Sequence, residues 1–181
     1  MKSFIYPEMM THVAMCTNKD PKNVLIVSDN AKLLVKEVEK HSEVEHKVVE
    51  CDLEQLKALN DENFDIVICE MEGNLESITQ LNRILKTDGQ LVINHPHLDA
   101  QSLNKSLMQT LGYFFKIIMP YNLGNSETAL LASKEYHPTA DIILQRSDML
   151  DNVYYYNCDI HIASFAMPNY IRRAYLGVIR N

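Results

Sequence analysis

Hydrophobic and polar positions along this chain fall into alternating strand and helix patterns. Residues 24–27 (VLIV) form a short β-branched run after the turn-forming pair Asp20-Pro21. Ala31, Leu34, Val35 and Val38 then recur at i, i+3, i+4 and i+7, which is one face of a helix. Residues 47–50 predict a second strand and residues 53–59 a short helix. Residues 64–69 (FDIVIC) are apolar enough for a strand buried on both faces. Leu75, Ile78, Leu81 and Leu85 mark a helix that stops at Asp88-Gly89, and residues 90–94 (QLVIN) a fourth strand. Leu103, Leu107 and Leu111 mark a further helix, ended by Gly112.

Beyond Gly112 the alternation changes. Residues 113–119 and 128–133 predict two strands joined only by the loop 120–127. No crossover helix fits there, so these strands should pair antiparallel. The expectation is an α/β chain with a methyltransferase-like Rossmann fold: a mostly parallel sheet, covered by helices, with an antiparallel C-terminal hairpin. A dinucleotide-binding sheet would continue with βαβ units instead. Residues 136–157 are mixed and polar, and a last helix is expected near 159–176. Without repeats or linkers, residues 1–181 read as one domain.

Composition narrows the function classes. The 46% hydrophobic and 23% charged residues are those of an ordinary globular protein. No run approaches the ~20 apolar residues of a membrane span, and the start MKSFIYPEMM lacks a signal peptide's apolar stretch. A cytoplasmic protein with no membrane partner is expected. Seventeen basic against 24 acidic residues give a net charge of -7. That argues against a nucleic-acid partner, which calls for a basic face, and permits a cationic substrate. Cys16, Cys51, Cys69 and Cys158 are scattered with no C-x-x-C pair, so neither a zinc site nor a disulfide framework is indicated. Cys51 and Cys69 read as small buried hydrophobes.

In open α/β sheets ligands bind at the carboxyl ends of the parallel strands. The first strand ends in Ser28-Asp29-Asn30, the second in Glu50 and Asp52, the third in Glu70 and Glu72 with Gly73, the fourth in His95-Pro96-His97. Carboxylates crowded on one rim attract a cation and raise the proton affinity of some members. Glu50 and Asp52 follow the first loop at a spacing suited to accepting hydrogen bonds from ribose hydroxyls; a solvated strand end is the equal alternative. The first loop holds no glycine, which counts against close backbone approach to a ligand, a loss tolerable where there is no phosphate to cradle, as in a nucleoside sulfonium. His95 and His97, separated by a proline, read as structural, and no metal site is expected.

With these residues in place, the chain resembles the spermidine synthase family of polyamine aminopropyltransferases. The clearest stretch is residues 155–168, YYNCDIHIASFAMP, against the family's YYN-x-(D/E)-(I/V)-H-x-A-(A/S)-F-x-(L)-P segment. Residues 4–12, FIYPEMMTH, resemble its (F)-x-Y-(H/Q)-E-M segment, and Val24–Val27 with Lys36, Glu37, Val38, Lys40 and His41 match its first strand and helix. The likeness covers nearly the whole chain but lacks the family's N-terminal β-region. The family's G-G-G-D-G-G loop falls on residues 28–33, where its ligand-contacting Asp becomes Ala31 and Asp29 stands two positions away. Between the family's second and third strands a stretch of chain is absent. Glu50 meets its ribose-binding Glu and Asp52 the Asp of its adenine-side motif. The gatekeeping D-S-(S/T)-D loop becomes Glu70-Met71-Glu72-Gly73. The amine-contacting Tyr of its P-T-Y-P-S-G loop aligns with Asn122, while Tyr6 and Glu8 match its Y-x-E positions.

The resemblance implies transfer of an aminopropyl group from decarboxylated S-adenosylmethionine to putrescine, with that nucleoside as co-substrate and no further cofactor. It implies Glu70 as the catalytic carboxylate, Asp29, Glu50 and Asp52 as nucleoside-binding residues, and Tyr6, Glu8, Glu72 and Asn122 as amine-channel residues. Its partners would be a polyamine and a sulfonium nucleoside, with a homodimer as one possible assembly. The alternatives are a non-catalytic descendant acting as a binding or interaction protein, and a small-molecule methyltransferase lacking the glycine loop.

Overall fold

The structure, a computed structural model, describes residues 3–124 and 126–181. The first two residues of the N-terminal stretch and Asn125 of the 120–127 loop lie outside the described residues. Six strands form one sheet in the order β2-β1-β3-β4-β6-β5. They are β1 (Asn23–Val27), β2 (Glu45–Val49), β3 (Phe64–Cys69), β4 (Leu85–Asn94), β5 (Ile117–Asn122) and β6 (Thr128–Ser133). β2, β1, β3 and β4 run parallel, whereas β4 pairs with β6, and β6 with β5, antiparallel. The sheet is therefore the mostly parallel one expected, closed by the antiparallel hairpin.

Alternation along the central strands builds two apolar layers. Leu25, Val27, Val67, Leu91 and Ile93 face one side. There they meet Leu56 of α3 (Leu53–Lys57), Leu81 of α4 (Leu75–Ile84), Leu107 of α5 (Gln101–Leu111) and Ile171 of α8 (Asn169–Ala174). Val24, Ile26, Ile66, Ile68 and Val92 face the other side, toward α1 (Ile5–Thr17) and α2 (Lys32–Val38). Two short helices, α6 (Leu144–Asp148) and α7 (Cys158–Ser164), complete the chain. None of the helices among the described residues is long and apolar enough to cross a membrane.

Several boundaries differ from the sequence expectation, each for a local reason. The helix after β3 ends at Ile84, and Leu85 opens β4 by pairing with Phe64. A buried leucine satisfies either element, so periodicity alone could not place it. β5 begins at Ile117 and includes Pro120, because residues 113–115 turn out of α5 before the strand starts. Pro120 is tolerated because β5 is an edge strand. The expected final helix is two helices broken at Pro168, which caps α8. Helix α1 has no counterpart among the expected elements: residues 7–17 are all buried, so it shows no polar face to betray a helical period.

A buried polar chain joins α1 to α2. His12 Nε2 donates to Glu37 Oε2 at 3.0 Å, and His12 Nδ1 accepts from His41 Nε2 at 2.9 Å. Lys40 pairs with the same Glu37 oxygen at 2.6 Å. Burial holds the His12 imidazole below its ordinary range and takes His41 down to about 3. His161 is likewise brought to about 4 by burial; its Nε2 donates to Pro138 O and its Nδ1 accepts from Tyr156. The unfolded chain takes up these protons near pH 6.5 and the folded chain does not, so stability rises with pH between the folded values and 6.5. Acidification below pH 6.5 should therefore lower stability with a slope that approaches about 1.4 kcal/mol per pH unit for each of His41 and His161, with His12 acting in the same direction. Calorimetric melting at pH 7.5, 6.5 and 5.5 checks it; an unchanged melting temperature would contradict it.

Candidate active site

The carboxyl ends of β1, β2, β3 and β4 lie along one edge of the sheet. Glu70, directly after β3, is half-buried there and held by two hydroxyls. Tyr6 of α1 donates to Glu70 Oε1 at 2.7 Å, and Ser28, directly after β1, donates to Oε2. Asn94 Nδ2, at the end of β4, donates to the Tyr6 oxygen at 2.9 Å. Burial, then the Glu70 hydrogen bond, drives the Tyr6 hydroxyl far above its ordinary range, so it remains a proton donor. Each Glu70 oxygen accepts one hydroxyl and retains a lone pair for a ligand.

Glu70 lines one hollow, and its partner Tyr6 lines a second beside it. The larger, about 570 Å³, is lined by Glu70, Met71, Glu72, Leu75, Asn94, His95, Leu103 and Leu107 among others. Exposed Leu75 and Leu103 give it apolar walls. The smaller, about 280 Å³, is lined by Tyr6, Asn94, His95, His97, Leu123, Glu127 and Thr128. Asn94 and His95 belong to both walls.

The other expected residues divide. Asp29 accepts from the Cys51 amide at 2.9 Å, tying the first loop to the end of β2. Burial first, and then the charge of Asp29, push the Cys51 thiol up; the Glu70 charge adds to this, so these carboxylates share one electrostatic field. Glu50 is exposed and pairs with Gln55, its Oε2 accepting at 3.2 Å. Asp52 caps α3, accepting from the Glu54 amide at 3.1 Å. Glu72 stands exposed on the rim of the Glu70 cleft. Residues 28–33 include no position of positive φ, so the loop follows a path open to any L-residue. The Ser28 hydroxyl accepts from the Asn30 amide there.

Two expectations are corrected. Glu8 does not line an amine channel: it is fully buried, and its carboxylate accepts from the amides of Tyr154, Tyr155 and Tyr156 at 2.8–2.9 Å. Asn122 is likewise committed, its Nδ2 donating to the carbonyls of Ser164 and Ala166 at 3.0 and 3.2 Å. Both tie the C-terminal region to the sheet domain. Conversely, sequence reasoning gave no role to Ser28, Asn94, Glu127 or Thr128. The strand-end position of Ser28 and Asn94 was the available signal; Glu127 and Thr128 reach the site only because the hairpin returns beside β4.

Comparisons with known proteins bear on the family and the fold. The Spermine/spermidine synthase domain matches residues 3–59. The polyamine aminopropyltransferase of Helicobacter acinonychis (strain Sheeba) is 30% identical, covering 92% of this chain and 76% of its own. That of Helicobacter pylori (strain G27) is 27% identical over 99% of this chain and 80% of its own. Their alignments span 199 and 212 positions against 181 residues here, so the relatives carry internal residues with no counterpart in this chain. Among solved structures, spermidine synthase from Thermotoga maritima superposes with a TM-score of 0.82 at 24% identity, covering 95% of this chain and 74% of its own. A spermidine synthase in complex with the transition state analogue AdoDATO gives 0.82 at 22%, covering 95% and 75%. These two similarities concern the fold. The first relative's identity and coverage, on a site built at the same sheet edge as its sequence predicts, establish that this chain belongs to the polyamine aminopropyltransferase (spermidine synthase) family of transferases.

Proposed function

We propose that this protein transfers the aminopropyl group of decarboxylated S-adenosylmethionine to putrescine. The observation that carries the reading is the Glu70 carboxylate, fixed by Tyr6 and Ser28 and facing the larger hollow. An amine is protonated in water and must lose a proton to become a nucleophile. Glu70 takes or orients that proton with its remaining lone pairs. The amine nitrogen then attacks the methylene carbon bonded to the sulfonium. The carbon–sulfur bond breaks, its electron pair stays on sulfur, and neutral methylthioadenosine leaves. The carboxylates of Glu70, Glu72 and Asp29 favour both cations before the step. Glu50 is the ribose acceptor of this reading, and Asp52 stands on the adenine side.

The test is to incubate purified protein with decarboxylated S-adenosylmethionine and putrescine and follow spermidine and methylthioadenosine by mass. Both should form in equal amounts. Absence of product, with no calorimetric binding of either substrate, would favour the non-catalytic alternative. Replacing Glu50 by Ala removes a charged acceptor from an exposed position. It should weaken methylthioadenosine binding by about tenfold or more with little change in melting temperature; unchanged affinity would remove Glu50 from the nucleoside site.

A further inference from the structure

The wall of the smaller hollow contains polar side chains with atoms that the fold leaves unsatisfied. Asn104 donates through Nδ2 to the carbonyls of Pro96, His97 and Ala100, which fixes its amide orientation. Its Oδ1 therefore faces His95 Nδ1, 2.6 Å away, as an acceptor. That contact assigns the imidazole proton to Nδ1 and leaves Nε2 as a lone-pair acceptor. His95 Nε2 is buried and has no hydrogen-bond partner among the described residues. The same holds for Thr128 Oγ1. The β4–β6 register ends at Asn94 opposite Ala129, the chain neighbours of His95 and Thr128. Both line the smaller hollow beside Tyr6 and Glu127. An unpartnered buried acceptor is costly, and a ligand that donates to it recovers that cost.

We propose that His95 Nε2 and Thr128 Oγ1 accept N–H hydrogen bonds from the amine acceptor bound in the smaller hollow, making them its positioning residues. This rests on the aminopropyl-transfer reading and adds the amine's location and partners to it. Primary ammonium and amine groups are the fitting chemistry because they bring several donors to one point. Glu127 contributes a negative charge on the same wall, and burial, the main cause, lowers the His95 pKa and keeps its lone pair available. Both acceptor atoms are turned off solvent, so the amine reaches them by displacing the wall in front of them while the Asn104 bond holds His95 Nδ1.

Three variants test the assignment: His95→Ala, His95→Gln and Thr128→Val. Steady-state kinetics with putrescine, calorimetry of putrescine binding to methylthioadenosine-loaded protein, and melting temperatures are measured for each. Removing the His95 acceptor should raise the amine KM and Kd about tenfold or more while methylthioadenosine affinity stays unchanged. Glutamine, which again offers an acceptor, should recover most of that loss. Thr128→Val replaces an unpartnered hydroxyl by a methyl group, so stability should hold or rise while amine affinity falls several-fold. A structural role would move both together. Amine affinity within twofold of wild type in His95→Ala and Thr128→Val, or no recovery in His95→Gln, overturns the proposal. Putrescine binding without turnover in the wild type would refute the transferase reading and leave the calorimetric comparison decisive. Absence of putrescine binding to the loaded wild-type protein overturns the proposal outright.

Discussion

Glu70→Gln is expected to lower the rate of aminopropyl transfer by about 100-fold or more and to leave nucleoside affinity and melting temperature nearly unchanged. Glutamine keeps the length of the side chain and one oxygen acceptor, and the Tyr6 and Ser28 hydroxyls can turn to meet an amide. Proton acceptance and the negative charge are lost. Stopped assays under single turnover separate this from a binding defect, since the loss should lie in the chemical step. Glu70→Asp is the companion variant. It keeps the charge but withdraws the carboxylate by about one methylene, an error of ~1 Å that can cost roughly 100-fold. Full activity in Glu70→Gln would remove Glu70 from the reaction.

Glu8→Ala should be the most destabilising single change. Its buried carboxylate accepts the amides of Tyr154, Tyr155 and Tyr156, holding that segment on α1. The same segment sets Tyr155 against Gly124, where φ is +83° and a Cβ would lie 2.0 Å from the tyrosine oxygen. Alanine would leave three amides without acceptors in a closed environment. Hydrogen bonds to charged groups contribute about 1.5–3 kcal/mol each, and the losses overlap, so roughly 3–5 kcal/mol is expected. For a chain of this size that is a melting-temperature drop of about 10–15 °C. Thermal unfolding of the variant at pH 7.5 decides it. A drop of only a degree or two would mean that the segment is held elsewhere.

The contrast between Glu8 and Glu70 shows what was legible in the sequence. Both are acidic residues in segments that resemble one family, and one-dimensional matching offers them equal claims on chemistry. Burial separates them: one is spent on backbone amides, the other faces a hollow. The most specific stretch, residues 155–168, proves to be packing. Tyr156 and His161 bond to each other, and Asn157 caps α7 by accepting from the Ile160 amide at 2.8 Å. Strongly conforming residues there report the fold, whereas the strand-end loops that line the hollow depart from the family pattern. The alternation of strands and helices was legible because each central strand, buried between two apolar layers, is a short continuous apolar run, while most of the helices between them show one apolar face. Helix α1 escaped because a helix buried on every side has no period to read.

By itself, the amino-acid order determined the parallel sheet, the antiparallel hairpin at its end, and the rim on which Asp29, Glu50, Asp52 and Glu70 stand. Those features follow from local hydrophobic periodicity and loop length, which are properties of adjacent residues. Only the tertiary structure decided which polar groups are satisfied. Tyr6 meets Glu70 across 64 positions of chain, and Thr128 comes to line the same hollow as His95 through the return of the hairpin. Hydrogen-bond satisfaction depends on distance and burial in space, and no spacing along the chain encodes either.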